Sequence, residues 1–466
     1  MQVFLMLFDA AGRVVTRNEL FDECWGGAMV GDDSLNRAIG KVRKIAAEVA
    51  PGFFEVETIP RTGYRLTGPI LDAAASEQPV AASQARWSDR RTIIAGGLAG
   101  AAVLGAGGYW WNRSQTDRSF HDLKLRGRES LAYGDTPVEA AEYLRRAVAI
   151  RPDDAEAQGM FAYALVGWAN SVPTNVSDEG FRQAKQAMQT ALSLDPKEPH
   201  ARITDILLKR SVLDFGATED RLRAVLSEYP DNTFAMKHLW NVLQCVGRSR
   251  DALEQVERAL RVDVNSAANN YPRAQLLWIT GKSAEADRVI DEAINLWPNH
   301  RFVRFARFII WAFTGRASIA LAMLDKKETT PQNFPDDSVR LWRINLTAID
   351  QPTPKNIAAA RDASLSAARK SLTLASWGVM AMASLGELDA AFELANAVFA
   401  VETRSSQSAR ADPEAGTAWR FTPWLFIPAT AAMRADPRLQ PICDQAGLTE
   451  YWRKRGIKPD YQIGNV

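Results

Sequence analysis

Basic side chains concentrate on one short segment near the start of the chain. Ser34 to Ala47 contains four basic residues and no acidic one, whereas the rest of residues 1–68 contains four basic and nine acidic residues. Guanidinium and ammonium groups neutralise phosphates and, within a groove, reach the edges of bases. The segment is therefore a candidate surface for double-stranded DNA, although charge alone favours an ordinary solvated helix face.

The residues that follow predict a β-hairpin. Phe54–Ile59 alternates like a strand, Pro60–Gly63 predicts a turn, and Tyr64–Leu66 predicts the returning strand. Arg61 and Arg65 place cationic groups on the turn and on the returning strand. A cationic hairpin after a basic helix is typical of a wing that enters the adjacent minor groove, so the pair favours DNA binding over a solvated face.

Local signals define the helices that position these groups. Thr16–Glu19 has the spacing of a capping box and predicts a helix that runs to about Trp25. Asp32–Ser34 predicts the cap of a second helix, from about Ser34 to Val49. Apolar residues recur at helical spacing on one side of this second helix, and basic and polar residues lie opposite. The apolar side is formed by Leu35, Ala38, Ile39, Val42, Ile45 and Ala46, and the polar side by Asn36, Arg37, Gly40, Lys41 and Lys44, with Arg43 at its margin.

Four segments resemble the C-terminal effector domain of OmpR/PhoB-type response regulators. They are Gly12–Leu20, Trp25-Gly26, Ser34–Lys44 and Thr58–Leu66. The resemblance implies an α+β winged helix whose recognition helix is Ser34–Lys44. Carried over by position, it implies Asn36, Arg37 and Lys41 near bases, Arg43 and Lys44 near phosphates, and Thr62 and Arg65 on the wing, beside Arg61.

The resemblance also has departures from the family pattern. Gly40 stands where a basic residue is common, and Pro60-Arg61 stands where Arg-Gly is common. The family begins with a small antiparallel sheet and a full first helix, and Met1 falls within that helix. The resemblance therefore implies either a domain truncated at its start or a start site assigned too far downstream, with no receiver domain before it.

A linker and then an uncharged segment follow the winged helix. Residues 69–90 are rich in Ala, Ser, Pro and Gln and predict a flexible linker. Thr92–Trp111 contains no charged residue, and at about 1.5 Å per residue its length matches a bilayer core of about 30 Å. Arg90 and Arg91 flank one end, and Tyr109–Trp111 the other. We therefore predict a transmembrane helix over 91–111; a buried helix or a Gly-rich linker is the alternative.

The predicted topology follows from the predicted function. Basic residues flank the segment on both sides, so charge gives no orientation. Because a DNA reader must be cytoplasmic, we predict a single-pass bacterial inner-membrane protein with a cytoplasmic N-terminus and periplasmic repeats. Gly96 and Gly100 form a GxxxG pattern that predicts homodimerisation in the membrane. The architecture resembles that of ToxR-like membrane-anchored regulators.

The rest of the chain repeats at a constant period. Gly247, Gly281 and Gly315 are evenly spaced, and alanines and prolines follow the same order. Gly permits a tight turn between helices, Ala allows close packing, and Pro is expected to start the next helix. The pattern resembles the tetratricopeptide repeat and predicts an α-solenoid of six to eight repeats over residues 112–434, with a capping segment at 435–466.

The solenoid is expected to bind a protein or peptide segment on its concave face. Four tryptophans either line this groove or fill gaps between helices: Trp240, Trp278, Trp297 and Trp311. The four histidines are scattered and predict neither a metal site nor a pH-sensing site: His121, His200, His238 and His300. The three cysteines lack metal-ligand spacing, and Cys245 and Cys443 are either a disulfide or free buried thiols, while Cys24 lies far from both.

Together these patterns predict a mostly α-helical protein with a winged helix, one transmembrane helix and a tetratricopeptide-type solenoid. The function they favour is a membrane-anchored transcription regulator that binds DNA and receives a protein or peptide signal. The alternative is a repeat scaffold that organises a membrane complex and carries a vestigial winged helix. No P-loop, GxSxG, HExxH or dinucleotide-binding fingerprint occurs, so the sequence predicts no enzyme, no cofactor and no metal.

Overall fold

The computed structural model shows two compact units, Met1–Ala102 and Val103–Val466. It describes residues 2–10, 12–25, 35, 39–40, 42–43, 46, 54–59, 62–68, 117–134, 137–171, 174–208, 215–326, 329–331, 334–399 and 422–464.

The first unit combines helices with a small sheet. Its described elements are α1 (Gln2–Asp9), β1 (Val15–Thr16), α2 (Arg17–Trp25), β2 (Glu55–Ile59) and β3 (Gly63–Thr67). The strands form an antiparallel sheet in the order β1-β3-β2, and β2 and β3 pair from Glu55↔Thr67 to Ile59↔Gly63. The predicted hairpin is thus confirmed.

The predicted capping box starts α2. The Thr16 backbone N–H donates to Oε2 of Glu19 at 2.7 Å, and the Glu19 backbone N–H donates to Oγ1 of Thr16 at 3.2 Å. Arg13 adds a contact of 3.0 Å from Nη1 to Oε1 of Glu19. The hydrogen bonds from Thr16, and then the one from Arg13, lower the pKa of Glu19. The bonds to the carboxylate favour its charged form, and the bond from the Glu19 backbone N–H to Thr16 closes the capping box, so local chemistry fixes the start of α2.

The apolar side of the predicted recognition helix lies in the core of this unit. Leu35, Ile39, Val42 and Ala46 are helical and buried, as predicted, whereas Ala38 and Ile45 lie outside the described residues. They share a core with residues from α1, β1, α2 and the hairpin: Val3, Leu7, Val15, Leu20, Phe54, Val56, Tyr64 and Leu66. The helix and the hairpin are therefore packed as one body.

Strand β1 was not predicted. Val15 pairs with Tyr64 and Thr16 pairs with Gly63, so β1 covers the free edge of β3. A Cβ added at Gly63 would lie 1.9 Å from the carbonyl oxygen of Val15. Only glycine therefore allows this approach of two backbones.

The second unit is a solenoid of helix pairs. Its repeat helices are α3 (117–133), α4 (Pro137–Ile150), α5 (Ala155–Ala169), α6 (Thr174–Leu194), α7 (Pro199–Leu208), α8 (Phe215–Glu228), α9 (Thr233–Cys245), α10 (Ser249–Val262), α11 (Ala267–Ile279), α12 (Ser283–Leu296), α13 (Arg301–Ala312), α14 (Ala317–Met323), α15 (Asp336–Asp350), α16 (Pro354–Ala368), α17 (Leu372–Ser384) and α18 (Leu388–Phe399). Within the described ranges these make eight pairs, inside the predicted number of six to eight.

The predicted glycine turns are confirmed, and one proline role is corrected. Gly247, Gly281 and Gly315 each end the first helix of a pair with a positive φ, between 75° and 81°. Pro196 and Pro298, by contrast, lie in the turn before the next helix and do not start it. The helix after each turn begins slightly later, because a residue with a capping group stands between; His300 is that residue before α13.

The end of the chain caps the solenoid and also returns to its middle. It forms 3-10 turns at Pro423–Leu425 and Pro428–Thr430, then α19 (Ala431–Arg434), α20 (Leu439–Gln445), α21 (Leu448–Arg455) and α22 (Asp460–Ile463). Helices α19 and α20 pack on α17 and α18, as a cap does, whereas α21 contacts α8.

Buried hydrogen bonds hold α21 against the middle of the solenoid. The Tyr451 hydroxyl donates to Oε2 of Glu219 at 2.7 Å, and Nη1 of Arg248 donates to the Tyr451 oxygen at 2.9 Å. Burial alone would raise the pKa of Glu219, but hydrogen bonds from Tyr451 and Arg223 and the charge of Arg248 lower it. The indole N–H of Trp452 donates to the Val246 carbonyl at 2.8 Å.

The predicted membrane architecture is contradicted. Across the described parts of both units, no helix combines the length and the apolar character needed to cross a bilayer. Thr92–Trp111 itself lies outside the described residues. The prediction of a transmembrane helix over 91–111, and with it a single-pass inner-membrane protein with periplasmic repeats, is therefore not supported. The sequence holds a reason: six positions of this segment are glycine, which weakens both hydropathy and helix propensity.

The cysteines are free thiols, which decides between the two interpretations of Cys245 and Cys443. Both side chains are buried, and Cys24 is half-buried. Burial raises the pKa of Cys245 and of Cys443 to about 12. Inert buried thiols are therefore the form in which these residues occur.

Candidate DNA-binding and peptide-binding surfaces

Arg43 joins the predicted recognition helix to the wing. Its Nε and Nη2 donate to the Val56 carbonyl at 3.2 and 3.1 Å, and Nη2 also donates to Oγ1 of Thr58 at 2.6 Å. Both partners lie in β2. The side chain remains exposed at the margin of the helix, as predicted, and in this structure it holds the wing against the helix.

Arg65 lies on the outer strand surface of the wing, opposite Glu57. The two residues are paired in the β2–β3 register, with contacts of 3.0 Å from Nε and 2.5 Å from Nη2 to Oε2 of Glu57. Their side chains are 39% and 47% exposed. An ion pair this accessible contributes little to stability, so the guanidinium can exchange this carboxylate for another anion.

Thr62 forms the tip of the hairpin. Its backbone N–H donates to the Ile59 carbonyl at 3.1 Å, and its own carbonyl accepts from the Arg17 backbone N–H at 3.2 Å. The tip is thus tied to the first residue of α2, and the Arg17 guanidinium lies 5.6 Å from the centre of the Tyr64 ring.

The structure describes three of the eight predicted DNA-binding residues, and each of them contacts or belongs to the hairpin: Arg43, Thr62 and Arg65. The other five lie outside the described residues and stay predictions: Asn36, Arg37, Lys41, Lys44 and Arg61. Gly40 is helical and exposed, and a Cβ added there would meet nothing within 4 Å.

The solenoid presents a row of rings that sequence reasoning missed. The first helices of successive pairs pack side by side, and we call the layer formed by α5, α7, α9, α11 and α13 the first-helix face. His200 and Phe234 contact each other there at 5.2 Å between ring centres. Phe302 lies further along the same face, stacked on Tyr271 at 5.3 Å.

Tyr163 and His238 form a neutral pair on this face. Their Oη and Nε2 atoms are 2.9 Å apart. Burial, and then the charge of Lys237, lowers the pKa of His238 to about 3, and burial raises the pKa of Tyr163. Both residues are therefore neutral at physiological pH, with the hydroxyl donating to Nε2.

The signal for this row was present in the sequence. His200, Phe234, Ala268 and Phe302 recur at one constant interval, which is the period already visible in the turn glycines. The glycine, alanine and proline pattern identifies the repeat, but ring positions vary between repeats and do not stand out. His200 and His238, predicted to be surface or satisfied side chains, are linked through two other rings: His200 contacts Phe234, Phe234 contacts Tyr163, and Tyr163 contacts His238.

Two of the four tryptophans have the gap-filling role. Trp240 and Trp278 are buried in the core and fill gaps between helices. Trp297 and Trp311 are half-buried at its edge. The Arg307 guanidinium stacks on Trp311 at 4.2 Å from the ring centre, so this ring is already covered by its own chain.

Comparison with known proteins bears on the first unit. Residues 1–66 match the family described as "Transcriptional regulatory protein, C terminal". Residues 1–66 are a winged-helix domain of the OmpR/PhoB type. Over 69 residues the chain is 38% identical to the transcriptional regulator HilA of Salmonella typhi, which covers 15% of this chain and 12% of that protein. Over 67 residues it is 37% identical to the cholera toxin homolog transcriptional activator of Vibrio parahaemolyticus, covering 14% and 23%.

Further similarities concern the second unit. A TPR repeat-containing protein of Pseudomonas aeruginosa is 25% identical over 182 residues, covering 39% of this chain and 29% of that protein. A solved tetratricopeptide repeat protein from Parabacteroides merdae has a TM-score of 0.34 at 17% identity, covering 54% of this chain and 92% of that one. One from Thermus thermophilus has a TM-score of 0.32 at 17% identity, covering 40% and 98%. The first unit thus matches a transcription-regulator domain, and the second unit is by its own structure a solenoid of helix pairs.

Proposed function

We propose that this chain is a transcription regulator that binds double-stranded DNA through its winged helix, and that its repeats bind a protein or peptide segment. The observation that carries the first half is the packing of a helix with a basic sequence and an arginine-bearing hairpin into one body, within a segment that matches a family of transcription regulators. As a homodimer, the chain would present two such domains to half-sites about one helical turn apart.

The exposed arginine of the wing supports this proposal because it can exchange its partner for DNA. In the proposed complex Arg65 leaves Glu57 for a phosphate or enters the minor groove, at small cost because the ion pair is exposed. Arg43 keeps its bonds to Val56 and Thr58 and sets the angle between helix and wing. Arg37 and Lys41 are proposed to reach bases from the polar side of the helix.

The first-helix face supports the second half of the proposal. It offers half-buried rings, including Phe234 and Phe302, beside polar groups such as Lys237. Aromatic side chains with a few polar groups are typical of surfaces that recognise peptide segments.

A charge-matched pair of variants tests DNA binding. Full-length protein is titrated onto a duplex recovered by in vitro selection, and binding is followed by fluorescence anisotropy. The double substitution Arg37→Ala with Lys41→Ala should weaken affinity by at least about tenfold, because each lost contact to a base or phosphate costs about 1 kcal/mol or more.

The control removes the same charge from the solenoid. Arg145→Ala with Arg182→Ala takes away two exposed arginines that pair with Glu142 and Glu179 within their own helices. It should leave DNA affinity unchanged. Equal affinity in both double variants would show that Ser34–Lys44 is not the recognition helix, and absence of binding by the wild type would refute the proposed function.

A further inference from the structure

The first-helix face has a notch at Ala268. At the four equivalent positions of successive repeats, three carry rings and one carries a methyl group: His200, Phe234, Ala268 and Phe302. The rings of Phe234 and Phe302 are half-buried, and Ala268 between them in the repeat order is buried. The missing ring leaves space between two aromatic clusters on neighbouring repeats.

The turn between α3 and α4 fills this notch. Gly134 packs on Ala268, since a Cβ added at Gly134 would lie 2.9 Å from the Ala268 Cβ. Nε2 of His300 donates to the Tyr133 carbonyl at 3.0 Å, and the two rings meet edge to face at 4.9 Å. The same Cβ position at Gly134 lies 3.8 Å from Nζ of Lys237. A turn of the first repeat therefore contacts α9, α11 and the cap of α13.

Tyr133 is the exposed partner in this contact. The residue is 36% exposed although its ring rests on His300, which is fully buried. Gly134 contributes no side chain to the contact and holds a φ of 80°. Because the covering turn is exposed on its outer side, a segment with better complementarity can displace it.

Lys237 gives the notch its charge preference. Its side chain is half-buried, and no carboxylate in the described part of the chain acts on its charge. Burial, and then the charge of Arg301, lowers the pKa of Lys237. A half-buried ammonium group that has no carboxylate partner among the described residues favours an anionic ligand. In the sequence, an acidic residue, Asp135, follows Gly134 directly.

We propose that the Tyr133–Gly134 turn is a built-in competitor at the Ala268 notch, and that the partner is a peptide segment with an aromatic ring beside a carboxylate. The partner's ring takes the place of Tyr133 on His300, and its carboxylate pairs with Lys237. This inference rests on the proposed binding of a peptide by the repeats. It makes the first repeat the element that a bound partner displaces.

The first test opens the notch without touching the repeat core. Gly134→Ala introduces a methyl group that crowds Ala268 and strains a positive φ. Gly281→Ala is the matched control, because Gly281 has a φ of 81° and nothing within 4 Å of the added methyl group. Amide hydrogen exchange at the end of α3 should accelerate at least about tenfold in Gly134→Ala and stay unchanged in Gly281→Ala. Unchanged exchange in Gly134→Ala would overturn the proposal.

The second test supplies the competitor in trans. A fluorescein-labelled peptide with the sequence of residues 128–136 is titrated onto the full chain. Only molecules in which the turn has left the notch can bind the peptide, so the apparent affinity is proportional to their fraction. Gly134→Ala should therefore bind the peptide at least about tenfold more tightly than either the wild type or Gly281→Ala. Adding Lys237→Met to Gly134→Ala should cancel most of that gain.

The other outcomes of the peptide titration would each contradict one part of the proposal. Equal affinity in all three chains, with faster exchange in Gly134→Ala, would show that the turn does not compete. No effect of Lys237→Met would show that the site does not select a carboxylate. DNA affinity of the same proteins is measured alongside, so that intact DNA binding separates failure of this inference from failure of the proposed function.

Discussion

Arg43 shows how one basic side chain can serve the fold and the ligand together. Sequence position placed it near phosphates, and the structure shows its guanidinium bonded to Val56 and Thr58 of the wing. Charge patterning predicted the side of the helix on which it lies, but hydrogen-bond partners on a later strand are not visible in a helical pattern. Arg43 is therefore a positioning residue for the wing as well as a candidate phosphate contact.

Thiol reactivity is a residue-scale prediction. Because burial raises the pKa of Cys245 and Cys443 from 9.0 to about 12, neither forms appreciable thiolate at pH 8 in the folded protein. Iodoacetamide should label half-buried Cys24 first, and the two buried thiols only after unfolding. Peptide mapping by mass spectrometry at successive times distinguishes the three, with urea-unfolded protein as the control.

The same pKa shifts predict how the free energy of unfolding changes with pH. The unfolded thiols ionise near pH 9 and the folded ones only near pH 12, so unfolding releases protons in this range. Their contribution to stability is complete below pH 9 and declines as pH rises toward 12. Labelling of Cys245 in the native protein as fast as Cys24, or a Cys245–Cys443 disulfide in the mass spectrum, would contradict this account.

At the scale of elements, the sequence predicted helices and strands that form through residues close in sequence, but it did not predict a strand that forms by pairing with distant residues. The Thr16–Glu19 box and the β2–β3 hairpin involve residues close in sequence, so the sequence predicted both. Strand β1 is very short and exists because it pairs with Gly63 and Tyr64, which lie far from it along the chain. A strand this short has no periodicity to predict it, and the sequence indicated only a turn role for Gly63, the glycine that allows the strand to form.

Two glycine substitutions should change stability in opposite directions. Gly63→Ala places a methyl group against the Val15 carbonyl and should destabilise the first unit by about 1–3 kcal/mol, as overpacking does. Gly40→Ala adds a methyl group to an exposed helical position with no neighbour and should stabilise it by about 0.5–1 kcal/mol. Native-state hydrogen exchange of Leu7 and Leu20 in the full chain measures both. A loss of stability in Gly40→Ala would show that this segment is not helical in solution.

At the scale of the whole molecule, the sequence predicted the repeat but not the contacts that close it. A constant repeat period specifies each repeat and its neighbour. Tyr451 and Glu219 are 232 residues apart, and Tyr133 and His300 are 167 apart. Such contacts depend on the accumulated rotation of several repeats, which no local pattern encodes. The membrane prediction failed for a different reason: the segment has no charge, but its glycines weaken both its hydropathy and its helix propensity.

The most direct test of the account is the salt dependence of DNA affinity. The account predicts that the full chain binds a selected duplex with an affinity that falls linearly, in logarithmic terms, with salt concentration. A surface that neutralises a few phosphates should give a slope of about −3 or steeper, at about −0.9 per phosphate contact. Fluorescence anisotropy between about 50 and 200 mM salt covers the informative range. A flat salt dependence, or no binding at the lowest salt concentration, would contradict the claim that this winged helix reads DNA.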